Sequence, residues 1–232
     1  SLNESPKDSK YIHPFEIFRS LENIAPDDAI FASDGGGTTV YSILQSIRLK
    51  KDQRLILVSG LGSMGSGIPE SVGLSRTGRP IFLFCGDGSF PFNVQELQIL
   101  SDFKFPVLMT VFSNEAYLSI RSTQTQFLKG NIVGSDPKDV HLVNIQKVVE
   151  AFDIKYKLIA SVNEYVALIR NYDYKQPVVI EVKTDPKQEV QPRQAFQETL
   201  NGFEPLPLTQ MDPKLDIEIQ TNIDNHIKNF KA

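Results

Sequence analysis

The stretch Pro80-Ile-Phe-Leu-Phe-Cys85-Gly-Asp87-Gly-Ser89 decides how this chain is read. The unbroken apolar run Ile81 to Cys85 suits a strand buried on both faces, as in parallel sheets covered by helices on either side. The run ends in an acid enclosed by Gly86 and Gly88. Glycine lacks a Cβ, so the chain can turn sharply there and bring its backbone close to a ligand. Cys85 belongs to the apolar run and reads as a buried strand residue rather than a reactive thiol. It is the only cysteine, which excludes an internal disulfide and any cysteine-based zinc or iron–sulfur cluster.

Working outward, the same signature recurs. Ala29–Ser33 and Leu55–Ser59 read as strands before the quoted stretch, and Pro106–Ser113, Lys155–Leu158 and Val178–Lys183 as strands after it. Helical spacing marks Thr38–Leu49, Ile68–Ser75, Asn93–Asp102, Ala116–Leu128, Val143–Phe152 and Val162–Asn171. The alternation predicts an α/β fold, a parallel sheet with helices on both faces, as a single domain over residues 13–184. Residues 1–12 read as a linker or cloning remnant. Residues 185–232, rich in Asp, Pro, Gln and Glu, read as an irregular C-terminal arm with a weak terminal helix. Ligands of such sheets bind at the carboxyl ends of the strands. The turns Asp34-Gly-Gly-Gly37, Gly60-Leu-Gly-Ser-Met-Gly65 and Gly86-Asp-Gly88 all fall at that edge.

With 232 residues, 41% of them hydrophobic, the chain can bury a sizeable core. A net charge of −4 and a pI near 5.5 argue against nucleic-acid or anionic-membrane binding. The densest basic stretch, Arg48 to Arg54, reads as a solvated helix end and loop. There is no membrane-length apolar run and no signal-peptide pattern, so the expected location is the cytoplasm. His13, His141 and His226 are too scattered in sequence to form a local metal motif.

Two chemistries compete for the glycine turns. Gly60-Leu-Gly62-Ser-Met-Gly65, with Asp87 about 20 residues beyond it, fits the dinucleotide fingerprint of an NAD-dependent oxidoreductase. The enclosure of Asp87 by glycines fits a Mg²⁺-bound diphosphate better. Such a site needs hard oxygen ligands and backbone N–H donors. Asp87 offers a carboxylate, and Asn114, at the end of the next strand, offers an amide oxygen. A main-chain carbonyl two residues later would be a third ligand. Gly88 and Ser89, expected at the N-terminus of the following helix, would add N–H and hydroxyl donors.

Gly86-Asp-Gly-Ser89 followed by Ser113-Asn114 resembles the signature Gly-Asp-Gly…Asn of thiamine diphosphate (ThDP) enzymes, with Ser113 where the family usually has the first of two Asn. Gly60-Leu-Gly-Ser-Met-Gly-Ser-Gly-Ile-Pro69 resembles the segment preceding that signature in acetolactate synthases and related carboligases. The likeness extends over residues 13–190. It implies that Asp87, Asn114 and the carbonyl of Ala116 hold Mg²⁺. Gly37, Thr38, Gly88 and Ser89 would line the diphosphate. The carbonyl of Gly62 would face the aminopyrimidine, and Met64 would wedge between the cofactor rings. Tyr117 and the residues up to Gln124 would form the rim. Acetolactate synthases typically carry Trp where Thr123 stands, and this chain has no Trp.

The resemblance further implies a 2-keto acid substrate, with a proton or an aldehyde or keto acceptor completing the reaction. The Glu that activates the cofactor belongs to a pyrimidine-binding domain, and no second sheet remains in these residues to supply one. The catalytic acid is therefore unassigned here; Glu96 reads as a packing or capping residue and Glu115 as solvent-facing. The expectation is the C-terminal ThDP-binding domain of an acetolactate synthase-like carboligase or decarboxylase. It would be a fragment of a longer, homo-oligomeric enzyme, inactive alone. It would turn an apolar face around Met64 and Ile68 toward its partner. A separate β subunit of a two-chain 2-keto acid decarboxylase, an NAD enzyme and a non-catalytic ThDP-fold module remain alternatives.

Overall fold

The computed structural model describes residues 10–34, 37–58, 60–188, 191–200, 202–207 and 209–230. Most of the expected N-terminal linker, Gly35, Gly36 and Ser59 lie outside the described residues. The chain forms two compact units, one reaching to Gln188 and one made of the residues beyond.

In the first unit, β1 (Ile30–Ser33), β2 (Arg54–Leu57), β3 (Ile81–Gly86), β4 (Val107–Ser113), β5 (Lys155–Ile159) and β6 (Val178–Lys183) form one sheet in the order β2-β1-β3-β4-β6-β5. Every neighbouring pair is parallel. Its helices are α1 (Pro14–Leu21), α2 (Gly37–Ser46), α3 (Gly67–Ser75), α4 (Leu97–Asp102), α5 (Leu118–Phe127), α6 (Ile145–Ala151) and α7 (Val162–Arg170).

Strand β3 shows why the apolar run is unbroken. Successive strand side chains point to opposite faces. Phe82 and Phe84 join Phe18 of α1, Ile43 of α2 and Tyr165 of α7 in one buried cluster. Ile81, Leu83 and Cys85 join Ile68 of α3, Leu97 of α4 and Val149 of α6 in the other. Both faces are thus covered by helices, as the alternation of elements predicts.

The boundaries depart from the sequence reading in instructive places. Helix α1 is not anticipated by it. His13 Nδ1 accepts the Phe15 N–H at 3.2 Å and Glu16 accepts the His13 N–H at 3.1 Å, a capping box with histidine in the place of the usual Ser or Thr. The helix expected from Asn93 begins later, as a single 3₁₀ turn, Val94–Glu96, leading into α4. Asn93 itself sits at φ 64°, outside the helical region. Helix α5 begins at Leu118 rather than Ala116, because Glu115 turns through φ 68° first.

The second unit is more ordered than the expected arm. Strand β7 (Arg193–Gln194) pairs antiparallel with β10 (Met211–Asp212), β8 (Phe196–Thr199) with β9 (Gly202–Pro205), and α8 spans Ile217–Phe230. Among the described residues no helix is long and apolar enough to cross a membrane.

Inside the first cluster the hydroxyls of Thr110 and Tyr165 lie 3.0 Å apart and fully buried. Tyr165→Phe leaves the Thr110 hydroxyl without this partner and is expected to lower stability by about 1–2 kcal/mol. Pairing it with Thr110→Val should recover most of that loss. Urea denaturation of the single and double variants checks this; strictly additive losses would rule out the bond as their cause.

Candidate cofactor-binding site

The ten residues singled out as cofactor neighbours, from Gly37 to Tyr117, all line one cavity of about 300 Å³. Four adjacent strand tips supply them. Gly37 and Thr38 open α2 after β1, and Gly62 and Met64 lie in the turn after β2. Asp87, Gly88 and Ser89 follow β3, and Asn114, Ala116 and Tyr117 follow β4. Register pairs Gly86 with Phe112, so the next residues of β3 and β4 emerge side by side.

Asp87 is 3% exposed, and its carboxylate joins these two tips. Oδ1 accepts the Gly88 N–H at 2.9 Å; Oδ2 accepts the N–H groups of Asn114 at 2.8 Å and Glu115 at 2.7 Å. Burial raises its pKa from the ordinary 3.8 to about 6, against the opposing pull of those three N–H groups and the charge of Lys183. The Asn114 side chain is buried too, and its Oδ1 has no hydrogen-bond partner among the described residues. A buried amide oxygen without a partner costs free energy, and a hard cation would relieve it. Strand β6 steadies the Ser113–Asn114 link. Thr184 donates its N–H to the Ser113 carbonyl at 2.9 Å, and Lys183 Nζ donates to Ser113 Oγ at 3.1 Å.

One expectation for this turn is corrected. Gly88 and Ser89 do not stand at a helix N-terminus. The chain runs through turns from Asp87 to Asn93, and the Ser89 N–H donates to the Gly86 carbonyl at 3.0 Å. With the Gly88 N–H on Asp87, neither amide is directed at the cavity. Ser89 itself still borders it. The Tyr117 ring lies over Gly88, where an added Cβ would approach Cδ1 to 2.6 Å.

Met64 is 36% exposed at the cavity wall, and Leu61, earlier in the same turn, is 91% exposed. Ile68, expected on the same exposed face, is instead core, because α3 turns it under the sheet. Of the expected rim, Leu118, Ser119 and Ile120 line the cavity but Arg121, Thr123 and Gln124 do not. Arg121 donates to the Pro186 carbonyl, and Gln124 donates to the Val133 carbonyl at 2.9 Å, so both brace neighbouring segments. Glu115 is exposed, Glu96 is half-buried, and neither lines the cavity. Asp34 escaped the sequence reading, which took it as part of a glycine turn. It is buried and bonds to the turn after β2. The available signal was an acid at a strand end directly before three glycines.

The dinucleotide fingerprint loses its geometry in this sheet. It needs the glycine turn and the acid on adjacent strand tips. Strand β2 is the sheet edge and pairs only with β1, so β1 separates it from Asp87 on β3. The Asp87 carboxylate is engaged by backbone, unlike an acid awaiting a ribose. Residues 34–182 match the family described as thiamine pyrophosphate enzyme, C-terminal TPP binding domain. The chain belongs to this family.

Similar proteins agree. The chain is 32% identical over 152 residues to the acetolactate synthase large subunit of Porphyra purpurea, covering 65% of this chain and 25% of that one. It is 25% identical over 187 residues to the acetolactate synthase large subunit of Lactococcus lactis, covering 78% and 31%. The solved 4-hydroxybenzoylformate decarboxylase of Rhodococcus jostii shares the fold, with a TM-score of 0.68 at 22% identity over 78% of this chain and 34% of that one. This ThDP-binding chain thus spans about a third or less of these proteins' lengths. The oxygen donors at its cavity suit a hard divalent ion, and among the described residues no three His, Cys, Asp or Glu side chains cluster as an alternative metal site.

The raised pKa of Asp87 has a definite sign. Its contribution favours the ligand-free fold below about pH 4 and is lost as pH rises through about 6. The full loss amounts to about 3 kcal/mol. Urea denaturation of the ligand-free protein at pH 4.5 and 7.5 is expected to show a steeper fall for the parent than for Asp87→Asn. Equal slopes would remove Asp87 as the titrating group.

Proposed function

We propose that this chain is the ThDP- and Mg²⁺-binding part of a carboligase or decarboxylase acting on 2-keto acids, within a longer protein or beside a partner subunit. The observation that carries this reading is the Asn114 Oδ1, buried with no hydrogen-bond partner among the described residues, on a residue whose N–H bonds the buried Asp87 carboxylate. Asp87, Asn114 Oδ1 and the Ala116 carbonyl would hold the metal. One lone pair of Asp87 Oδ1 remains available beyond its bond to Gly88. The hydroxyls of Thr38 and Ser89, both at the cavity, would donate to the diphosphate. Gly37 and Gly88 would let the backbone approach it. When bound, ThDP supplies a nucleophilic carbon for breaking a bond beside a carbonyl.

Gly62 would turn its carbonyl to the aminopyrimidine. Met64 would pack against both rings, offering apolar contact without competing for protons. Tyr117 and Ile120 would bound the space for the keto acid and its aldehyde or keto acceptor. The apolar side chains of Met64 and Ile120, exposed at the cavity, and of Leu61, exposed in the same turn as Met64, favour cover by a second domain. That domain, a pyrimidine-binding one, would bring the activating Glu, in keeping with a homo-oligomer in which sites form between chains.

Isothermal titration with Mg²⁺ present should give saturable ThDP binding that Asp87→Ala abolishes while circular dichroism stays unchanged. Stabilisation by NAD⁺ without any by ThDP would overturn the reading. The 232 residues alone are expected to release no CO₂ from pyruvate or other 2-keto acids with excess ThDP and Mg²⁺, and to gain turnover when a pyrimidine-binding domain is added. ThDP-dependent CO₂ release by the purified chain would place the activating acid within it.

A further inference from the structure

We propose that Asp34 is a positioning residue for the ring end of the cofactor, acting through the loop Gly60–Gly67. The inference rests on the function proposed above. Asp34 is 1% exposed and does not line the cavity. Its N–H donates to the Phe84 carbonyl at 2.9 Å, which ties it to β3 beside its own strand β1. Both carboxylate oxygens accept the Gly65 N–H at 3.0 Å, and Oδ2 also accepts the Gly67 N–H at 3.3 Å. A buried carboxylate on backbone N–H groups makes charge-assisted bonds, roughly twice as strong as neutral ones.

Space is cleared for this anchor. A Cβ on Gly67 would lie 3.1 Å from Asp34 Cβ and 2.7 Å from Leu83 Cδ1. Ser66, the residue before α3, makes no side-chain cap, so Asp34 serves as the cap from a different strand. The favourable interaction of an anion with a helix N-terminus adds to the hold. Gly65 is gripped on its other side as well. Asn93 Nδ2 donates to the Gly65 carbonyl at 3.0 Å, and a Cβ on Gly65 would meet the Phe92 carbonyl at 2.7 Å. Gly65 also has φ 85°, which only glycine adopts without strain.

The residue immediately before this clamp is Met64, and Gly62 is two positions further back. Both line the cavity on a loop that projects from the edge strand β2, where sheet neighbours on one side cannot fix it. Asp34 and Asn93 hold that loop from β1 and from the turn after β3. Of the diphosphate end of the cavity, Asp87 and Asn114 have separate supports, and Gly37 and Thr38 are carried by α2. The clamp therefore governs where the rings sit and leaves the diphosphate untouched.

The test uses calorimetry on the full-length protein with Mg²⁺, titrating ThDP and, separately, inorganic pyrophosphate. Asp34→Asn is expected to weaken ThDP binding about 10- to 100-fold and to leave pyrophosphate within about threefold, a charge-assisted bond being the interaction removed. Asn93→Gly, which keeps the left-handed backbone and removes the other grip, should show a milder form of the same split. Met64→Ala combined with Asp34→Asn should weaken ThDP binding by less than the product of the two single effects, because the Asp34 clamp acts in part through the Met64 side chain. Three results would overturn the inference: parallel loss of both ligands, unchanged ThDP affinity in Asp34→Asn, or multiplying effects in the double variant. A parent protein that binds neither ligand would sink the cofactor reading itself, and this inference with it.

Discussion

A carboxylate removed from water must find donors, and Asp87 finds three of them on the backbone of two strand tips. That need shapes the site. It draws the turns after β3 and β4 together, bends Glu115 into the left-handed region, and delays the start of α5. It also leaves the Asn114 amide oxygen buried at the cavity without a partner among the described residues. The free energy of burial not recovered by the N–H groups survives as a raised pKa. An anion held in that condition would bind a cation with gain.

The sheet makes this arrangement possible by being rigid and covered on both faces. The order β2-β1-β3-β4 reverses direction at β1, and at such a reversal the connections diverge to opposite sides of the sheet and leave a crevice. From β1 the chain passes to β2 through α2, whose Ile43 packs on one face; from β2 it passes to β3 through α3, whose Ile68 packs on the other. The cavity opens between those two connections. Its floor is Gly86 to Ser89 and its walls are the turns after β1, β2 and β4.

Two buried acids divide the labour within this crevice. Asp87 faces the cavity and has coordination capacity to spare. Asp34 stands behind it, and its carboxylate holds the backbone of Gly65 and Gly67. The exposed apolar side chains of Met64 and Ile120 at the cavity are a different kind of feature. Exposed apolar side chains grouped at a cavity mouth are what a contact with further protein requires.

Much of this was legible in the sequence. Unbroken apolar runs such as Ile81–Cys85 separated by helical spacing determine a parallel sheet covered on both sides, because only strands buried on both faces tolerate them. The Gly-Asp-Gly turn and a distant Asn offer the donor types that a diphosphate and its metal would need, since local chemistry is carried by residue identity. Helix α1 was hidden because its cap is a histidine, and the late start of α4 because Asn93 entered a left-handed turn that helical spacing does not reveal. Tertiary structure alone decided the strand order, and with it the failure of the dinucleotide fingerprint, because adjacency in a sheet depends on the paths of crossovers and not on any single segment. It alone turned Gly88 and Ser89 away from a helix terminus, buried Ile68, and set Asp34 behind the Met64 loop. Each of those outcomes depends on hydrogen bonds or packing between segments tens of residues apart, and no local pattern encodes such contacts.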